Sequence, residues 1–118
     1  MSTTYRVNDR AVAKARQLID ARQYDTATSW SDGAPSTEES NAKIERDGYE
    51  GYGDWHLAID TEAYEETKDR YGFPYGDFRR VSRAGLIHAK QRAVQNGHDA
   101  VADAADRLLA HLDEVSAG

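Results

Sequence analysis

Only 18 of the 118 residues are Leu, Ile, Val or Phe, and that shortage limits what the chain can fold into. The fraction lies under the roughly 20% level at which, with high net charge, chains begin to stay disordered. Eighteen alanines, seven tyrosines and two tryptophans make up most of the remaining apolar content. A chain of this composition folds by bringing alanine-faced helices close together and by burying aromatic rings, which supply large areas per residue. A domain this size must bury about two thirds of its chain surface. Pairing with a second copy is one way to reach that, so self-association is expected as a route to stability.

The aromatics are not spread evenly. Between residues 48 and 78 fall eight of the eleven Phe, Trp and Tyr residues and five of the nine glycines. Tyr49, Tyr52 and Trp55 recur every three residues, as in a helical turn, whereas Trp55, Leu57 and Ile59 recur every two, as in a strand. The reading is a turn feeding a strand over 55–59. Thr61 can cap a short helix over 62–70, closed by Gly72. Tyr71, Phe73 and Tyr75 alternate again around Pro74, and a proline confines such a strand to a sheet edge.

Helical periodicity dominates the rest. Asn8 is a suitable N-cap, Val7 and Val12 have hydrophobic-staple spacing, and Val12, Ala15, Leu18 and Ile19 share a face, which predicts a helix over 9–23. Residues 24–35 read as a loop in which Trp30 acts as a plug. Ser36 and Glu39 form a capping box, predicting a surface helix over 37–47 that stops at Gly48. Asp77 opens a basic helix over 77–95, ended by Asn96-Gly97. A last helix over 99–115 carries the stripe Val101, Ala104, Ala105, Leu108, Leu112 and Val115. The short link makes these two helices antiparallel neighbours. The expected fold is therefore mainly α with minor α+β character: one domain, an antiparallel helix pair plus an N-terminal helix, and a short two-stranded element within 55–75.

Charge is arranged in blocks. Net charge is −6, made of +2 over 1–30, −9 over 31–69, +5 over 70–96 and −4 over 97–118. With no cysteine, disulfides, thiolate nucleophiles and cysteine metal sites are excluded. The first ten residues have no apolar stretch of signal-peptide type, and no apolar run approaches the roughly 18 residues of a membrane span. The expectation is a cytoplasmic protein without membrane partners.

Gly53–Asp60 (GDWHLAID) and Glu66–Leu86 (ETKDRYGFPYGDFRRVSRAGL) together resemble a family of small prokaryotic proteins of unknown function, most specifically over Phe73–Phe78. That family often has a histidine where Ser82 stands. The resemblance implies no activity, cofactor or partner. It implies only that Trp55, Phe73–Phe78 and Arg79 form one structural unit.

Three arrangements could carry function. Arg79, Arg80 and Arg83, read as one turn of the basic helix with Lys90 and Arg92 further on, could hold phosphates, with Tyr71, Phe73 and Tyr75 stacking on bases. A sequence pI of about 5.1 is unfavourable for nucleic acid, and the same arginines could equally pair with the acidic 31–69 block. Asp54 and His56, two apart, would share a face of a strand as a carboxylate and imidazole, but no third group or metal-ligand spacing accompanies them. Arg79-Arg80-Val81-Ser82 has the form of a basophilic kinase site, placed where a helix would hide it. The reading favoured by the sequence is a non-enzymatic protein-interaction or structural module that binds a protein partner or itself, without metal or cofactor. Its partner surface is expected at Tyr52, Tyr75, Arg79, Arg80 and Arg83. Nucleic-acid binding through the basic helix is the competing class, and an enzyme at Asp54/His56 the second alternative.

Overall fold

The computed structural model describes residues 5–118. The chain runs β1 (Tyr5–Val7), α1 (Asp9–Asp20), β2 (Tyr24–Asp25), α2 (Trp30–Gly33), α3 (Thr37–Gly53), β3 (His56–Asp60), a 3-10 turn (Lys68–Arg70), β4 (Tyr71–Pro74), β5 (Val81–Ser82), α4 (Arg83–Gln95) and α5 (Asp99–Ala117). The fold is mainly helical with two small sheets. Antiparallel β1, β3 and β4 form one, in that order, and parallel β2 and β5 form the other. Pro74 lies on an edge strand, opposite His56, as its missing N–H requires.

α5 is the central element, lying against α1, α4, β1 and β3. The shortage of aliphatics is met as the composition requires. Ala89 and Ala93 of α4 and Ala102 and Ala105 of α5 are buried, and Ala11 and Ala15 of α1 are fully so. Small side chains let the helices approach, and Leu86, Leu108 and Leu112 fill the remaining space. The antiparallel pairing of α4 and α5 carries two ion pairs, Arg83 to Asp113 (2.7 Å) at the start of α4 and Lys90 to Asp106 (2.7 Å) near its middle. Their connection is a complete Schellman turn. Gly97 takes φ 74°, the His98 amide donates to the Ala93 carbonyl (2.8 Å), and the Gly97 amide donates to that of Val94 (3.2 Å).

Several boundaries differ from expectation. α1 ends at Asp20 rather than residue 23. The Gln23 amide donates to the Leu18 carbonyl and Arg22 sits at φ 60°. This is a glycine-type ending made by an arginine, so no glycine announced it. The loop over 24–35 contains β2 and the single turn α2, capped by Ser29, whose Oγ accepts from the Asp32 amide. The capping box of Ser36 and Glu39 is present in both directions. Gly48 breaks α3 as expected (φ 75°, ψ 174°), but helical geometry resumes over Tyr49–Gly53. No helix forms over 62–70 beyond the short 3-10 turn. In a helix Glu62 would face Glu65 and Glu66 at the spacings where like charges repel, and Tyr64, its one large apolar side chain before the 3-10 turn, is 86% exposed.

The largest correction is at Asp77, which does not open a helix. Its Oδ1 accepts from the amides of Arg79 (3.0 Å) and Arg80 (2.7 Å), the pattern of an N-cap. The chain then turns back, because Phe78 is left-handed (φ 69°) and the Asp77 amide donates to the Arg80 carbonyl. The result is a tight reversal in which Gly76 opposes Val81. α4 begins at Arg83, with Ser82 as its cap through a bond from the Gly85 amide (3.0 Å). Ser82 is thus buried at a helix start, not mid-helix.

Asn8 stands at the N-cap position of α1 but its side chain does not cap that helix. Its amide nitrogen donates to the carbonyls of Gly53 (2.9 Å) and His56 (3.2 Å), while its backbone amide donates to Leu57 (2.8 Å). Replacing Asn8 with Ala strands two carbonyls beside a side chain that is only 4% exposed. The expected loss is about 1–3 kcal/mol in urea unfolding. An unchanged midpoint would mean those carbonyls are satisfied by water.

Candidate functional site

The buried end of α3 organises the aromatic segment. The last carbonyls of a helix have no partners within it and must find them elsewhere. Here they are met largely by side chains. The Tyr52 carbonyl accepts from Nδ1 of His56 (2.9 Å), that of Gly53 from Asn8, and that of Asp54 from the Tyr75 hydroxyl (2.8 Å). Trp55 then stacks on Tyr75, with ring centres 5.5 Å apart, and meets Phe78 edge-on at 6.0 Å. Lys14 sits over the indole at 5.5 Å. A Cβ on Gly76 would lie 2.7 Å from the Trp55 ring, so only glycine lets the strand pass beneath it. Trp55, Tyr75 and Phe78 thus form one packed unit, and Trp55, 3% exposed, lies in the core that the shortage of aliphatics left to aromatic rings.

This unit removes two residues from the expected partner surface. Tyr75 is fully buried, and burial holds its hydroxyl well above the usual tyrosine range. Tyr52 is 8% exposed, packed against His56 and Tyr71. Both rings were needed to fill a core poor in aliphatics. The three arginines do not share a helical turn. Arg79 and Arg80 lie in the reversal before β5 and Arg83 on the first turn of α4. Arg80 approaches Asp25 (3.6 Å) and Arg83 forks onto Asp113. Asp25 is held down at about 2, chiefly by the Thr28 hydroxyl and then by the amides of Ala27 and Thr28. Arg79 is exposed, and among the described residues its guanidinium has no ion-pair partner. Arg83 and Lys90 of α4 meet acids of α5, not those of the 31–69 block; Arg10 is the residue that forks onto Asp54 and also reaches Glu50.

Asp54 and His56 do not form a pair. Asp54 turns to Arg10, while His56 is 4% exposed with Nδ1 on a carbonyl. A carbonyl only accepts, so Nδ1 carries a proton in that bond. Burial lowers its pKa to about 4, against a smaller opposing effect of the bond to Tyr52. Among the described residues no group of three or more His, Cys, Asp or Glu side chains is placed to hold a metal ion. None of the described helices is long and apolar enough to cross a membrane.

Two features outside the expected surface stand out. On the outer face of α4 and α5, Val94 is 59% exposed beside Ile87 and Leu109, flanked by Lys90, Gln91 and Gln95. A cleft of about 260 Å³ is lined by Tyr5, Phe73 and Pro74, by Trp30, and by His88, Ala89 and Arg92 of α4. Neither was read from the sequence. Val94 falls outside the core stripe of its helix, a signal that was present. The cleft joins residues up to 87 positions apart, which no local spacing could reveal. No protein-family model, curated protein or solved structure matches the chain.

The state of His56 sets an acid dependence of stability. Between its ordinary value near 6.5 and about 4 the unfolded chain binds more protons than the folded one, so stability is full above the upper value and falls as pH drops. The expected loss is about 3 kcal/mol by pH 4, read from urea midpoints at successive pH values. The loss tied to Asp25 comes later, below its ordinary value of 3.8. A proton-resonance titration of His56 in the folded chain with a midpoint near 6.5 would contradict this.

Proposed function

We propose that the chain is a non-enzymatic interaction module that pairs with a second copy of itself through the outer face of α4 and α5. The observation that carries the reading is an apolar strip along two helices, with Val94 exposed and Ile87 and Leu109 half-buried beside it, in a protein with few large aliphatics to spare. A twofold interface sets a patch against itself, so a patch of one charge sign would repel its copy. This one is compatible with self-pairing: its glutamines are neutral and Lys90 is already paired with Asp106. α4 has 13 residues and α5 has 19. At 1.5 Å per residue and about 10 Å per helix, their shared face is roughly 20 Å by 20 Å. That planar area, about 400 Å², is below the roughly 500 Å² per partner that a biological interface clears, so side chains at the rim must supply the rest.

The competing reading, nucleic-acid binding through 77–95, needs cations free to meet phosphates. Arg80, Arg83 and Lys90 face carboxylates of their own chain, which favours the protein-binding reading. Retention on heparin at low salt would instead favour phosphate binding. The enzyme reading draws no support from His56, whose ring is committed to a helix end.

Light scattering after size exclusion at micromolar concentration should give a mass near twice 13.2 kDa. Val94→Glu places a charge on the strip without touching the core and is expected to give the single-chain mass with unchanged circular dichroism. A wild-type mass of one chain would sink the proposal.

A further inference from the structure

The cleft between Trp30 and α4 is independent of the face proposed for pairing. His88 and Arg92 are four residues apart on one side of α4, whereas Ile87 and Val94 lie about a third of a turn away. The walls are rings. Tyr5 and Phe73 meet edge-on at 5.3 Å, and both meet His98 edge-on, at 5.0 Å and 5.9 Å. The Trp30 indole lies 6.4 Å from the His88 ring, tilted by 32°.

Two features show that the backbone is shaped around these walls. A Cβ on Gly85 would stand 2.7 Å from the Trp30 ring, so glycine at that place in α4 lets the indole lie against the helix. Phe73 holds φ 62°, a region that residues with a side chain rarely adopt, and such strain concentrates where a side chain must be aimed. Among the described residues that line the cleft, Arg92 is the charged side chain. Arg92 and His88 both line the cleft, and among the described residues neither has a carboxylate partner. The other arginine and lysine of α4, Arg83 and Lys90, do have one.

We infer that this cleft binds a small aromatic carboxylate, its ring between Trp30 and Phe73 and its anionic group on the Arg92 guanidinium. Size and chemistry agree. A cavity of roughly 150 Å³ lined by apolar side chains accepts benzene. The present one, at about 260 Å³, has room for one ring and a short acid arm. A planar guanidinium matches a carboxylate through two parallel hydrogen bonds. Aromatic walls favour a ring over an aliphatic chain of equal volume, through edge and offset contacts.

The test is a titration of the full chain with phenylacetate, followed by nitrogen–proton correlation spectra. The Trp30 indole and Gly85 amide signals should move saturably, with a dissociation constant of about 1 mM or below. Neutral phenylacetamide, which keeps the ring and shape, and acetate, which keeps only the charge, should each bind about tenfold more weakly or worse. Arg92→Gln, at an exposed position, should weaken phenylacetate by about tenfold, and Arg79→Gln should leave it unchanged. No saturation up to about 10 mM, equal binding of phenylacetamide, or unchanged binding in Arg92→Gln would each overturn the assignment.

Discussion

A helix that ends inside a protein must have its last carbonyls satisfied, and the end of α3 is where that requirement governs this fold. Asn8, His56 and Tyr75 each direct a polar atom at a carbonyl between Tyr52 and His56. They come from the start of α1, the start of β3 and the stretch just beyond β4. Meeting one local need therefore brings two distant parts of the chain, at Asn8 and Tyr75, to the end of α3. Trp55 hangs from the same turn and stacks on the ring whose hydroxyl completes the set.

This bears directly on function. A histidine and a tyrosine with strongly displaced pKa values invite a catalytic reading. In this protein both displacements follow from burial against backbone that needs donors. The surface left for interaction is set by α4. One flank packs on α5 through alanines, another carries Val94, and a third carries His88 and Arg92. Because the charged residues facing α5 are matched, the unmatched ones become informative.

Much of the helical framework was legible in the sequence. The Ser36 capping box, the Asn96-Gly97 ending, the stripe of α5 and the edge position of Pro74 rest on local chemistry that tertiary contacts did not override. The failures share one cause: a local signal was answered by a distant partner. Asp77 makes N-cap bonds, yet the chain turns back because Gly76 passes beneath Trp55 and Val81 pairs with Tyr24. Asn8 occupies a cap position, yet its side chain serves another helix. Tyr52 and Tyr75 have amphipathic rings suited to a surface, but the core lacked volume and took them. Arg22 and Phe78 adopt left-handed backbone without glycine, which no propensity scale anticipates.

The central place of α5 has a consequence for how the chain matures. β1 and α1 lie against α5, and His111 reaches back to Asp20 (2.6 Å) across 91 residues. During synthesis, which proceeds from the N-terminus, the first strand and helix emerge with their apolar faces uncovered. Strand β3 can pair with β1 earlier, but the contacts of β1 and α1 with α5 must wait until nearly the whole of this sequence has left the ribosome. α4 and α5, joined by their short turn, can zip together as soon as they appear. The alanine-lined hairpin made last is thus the template on which the part made first finally settles.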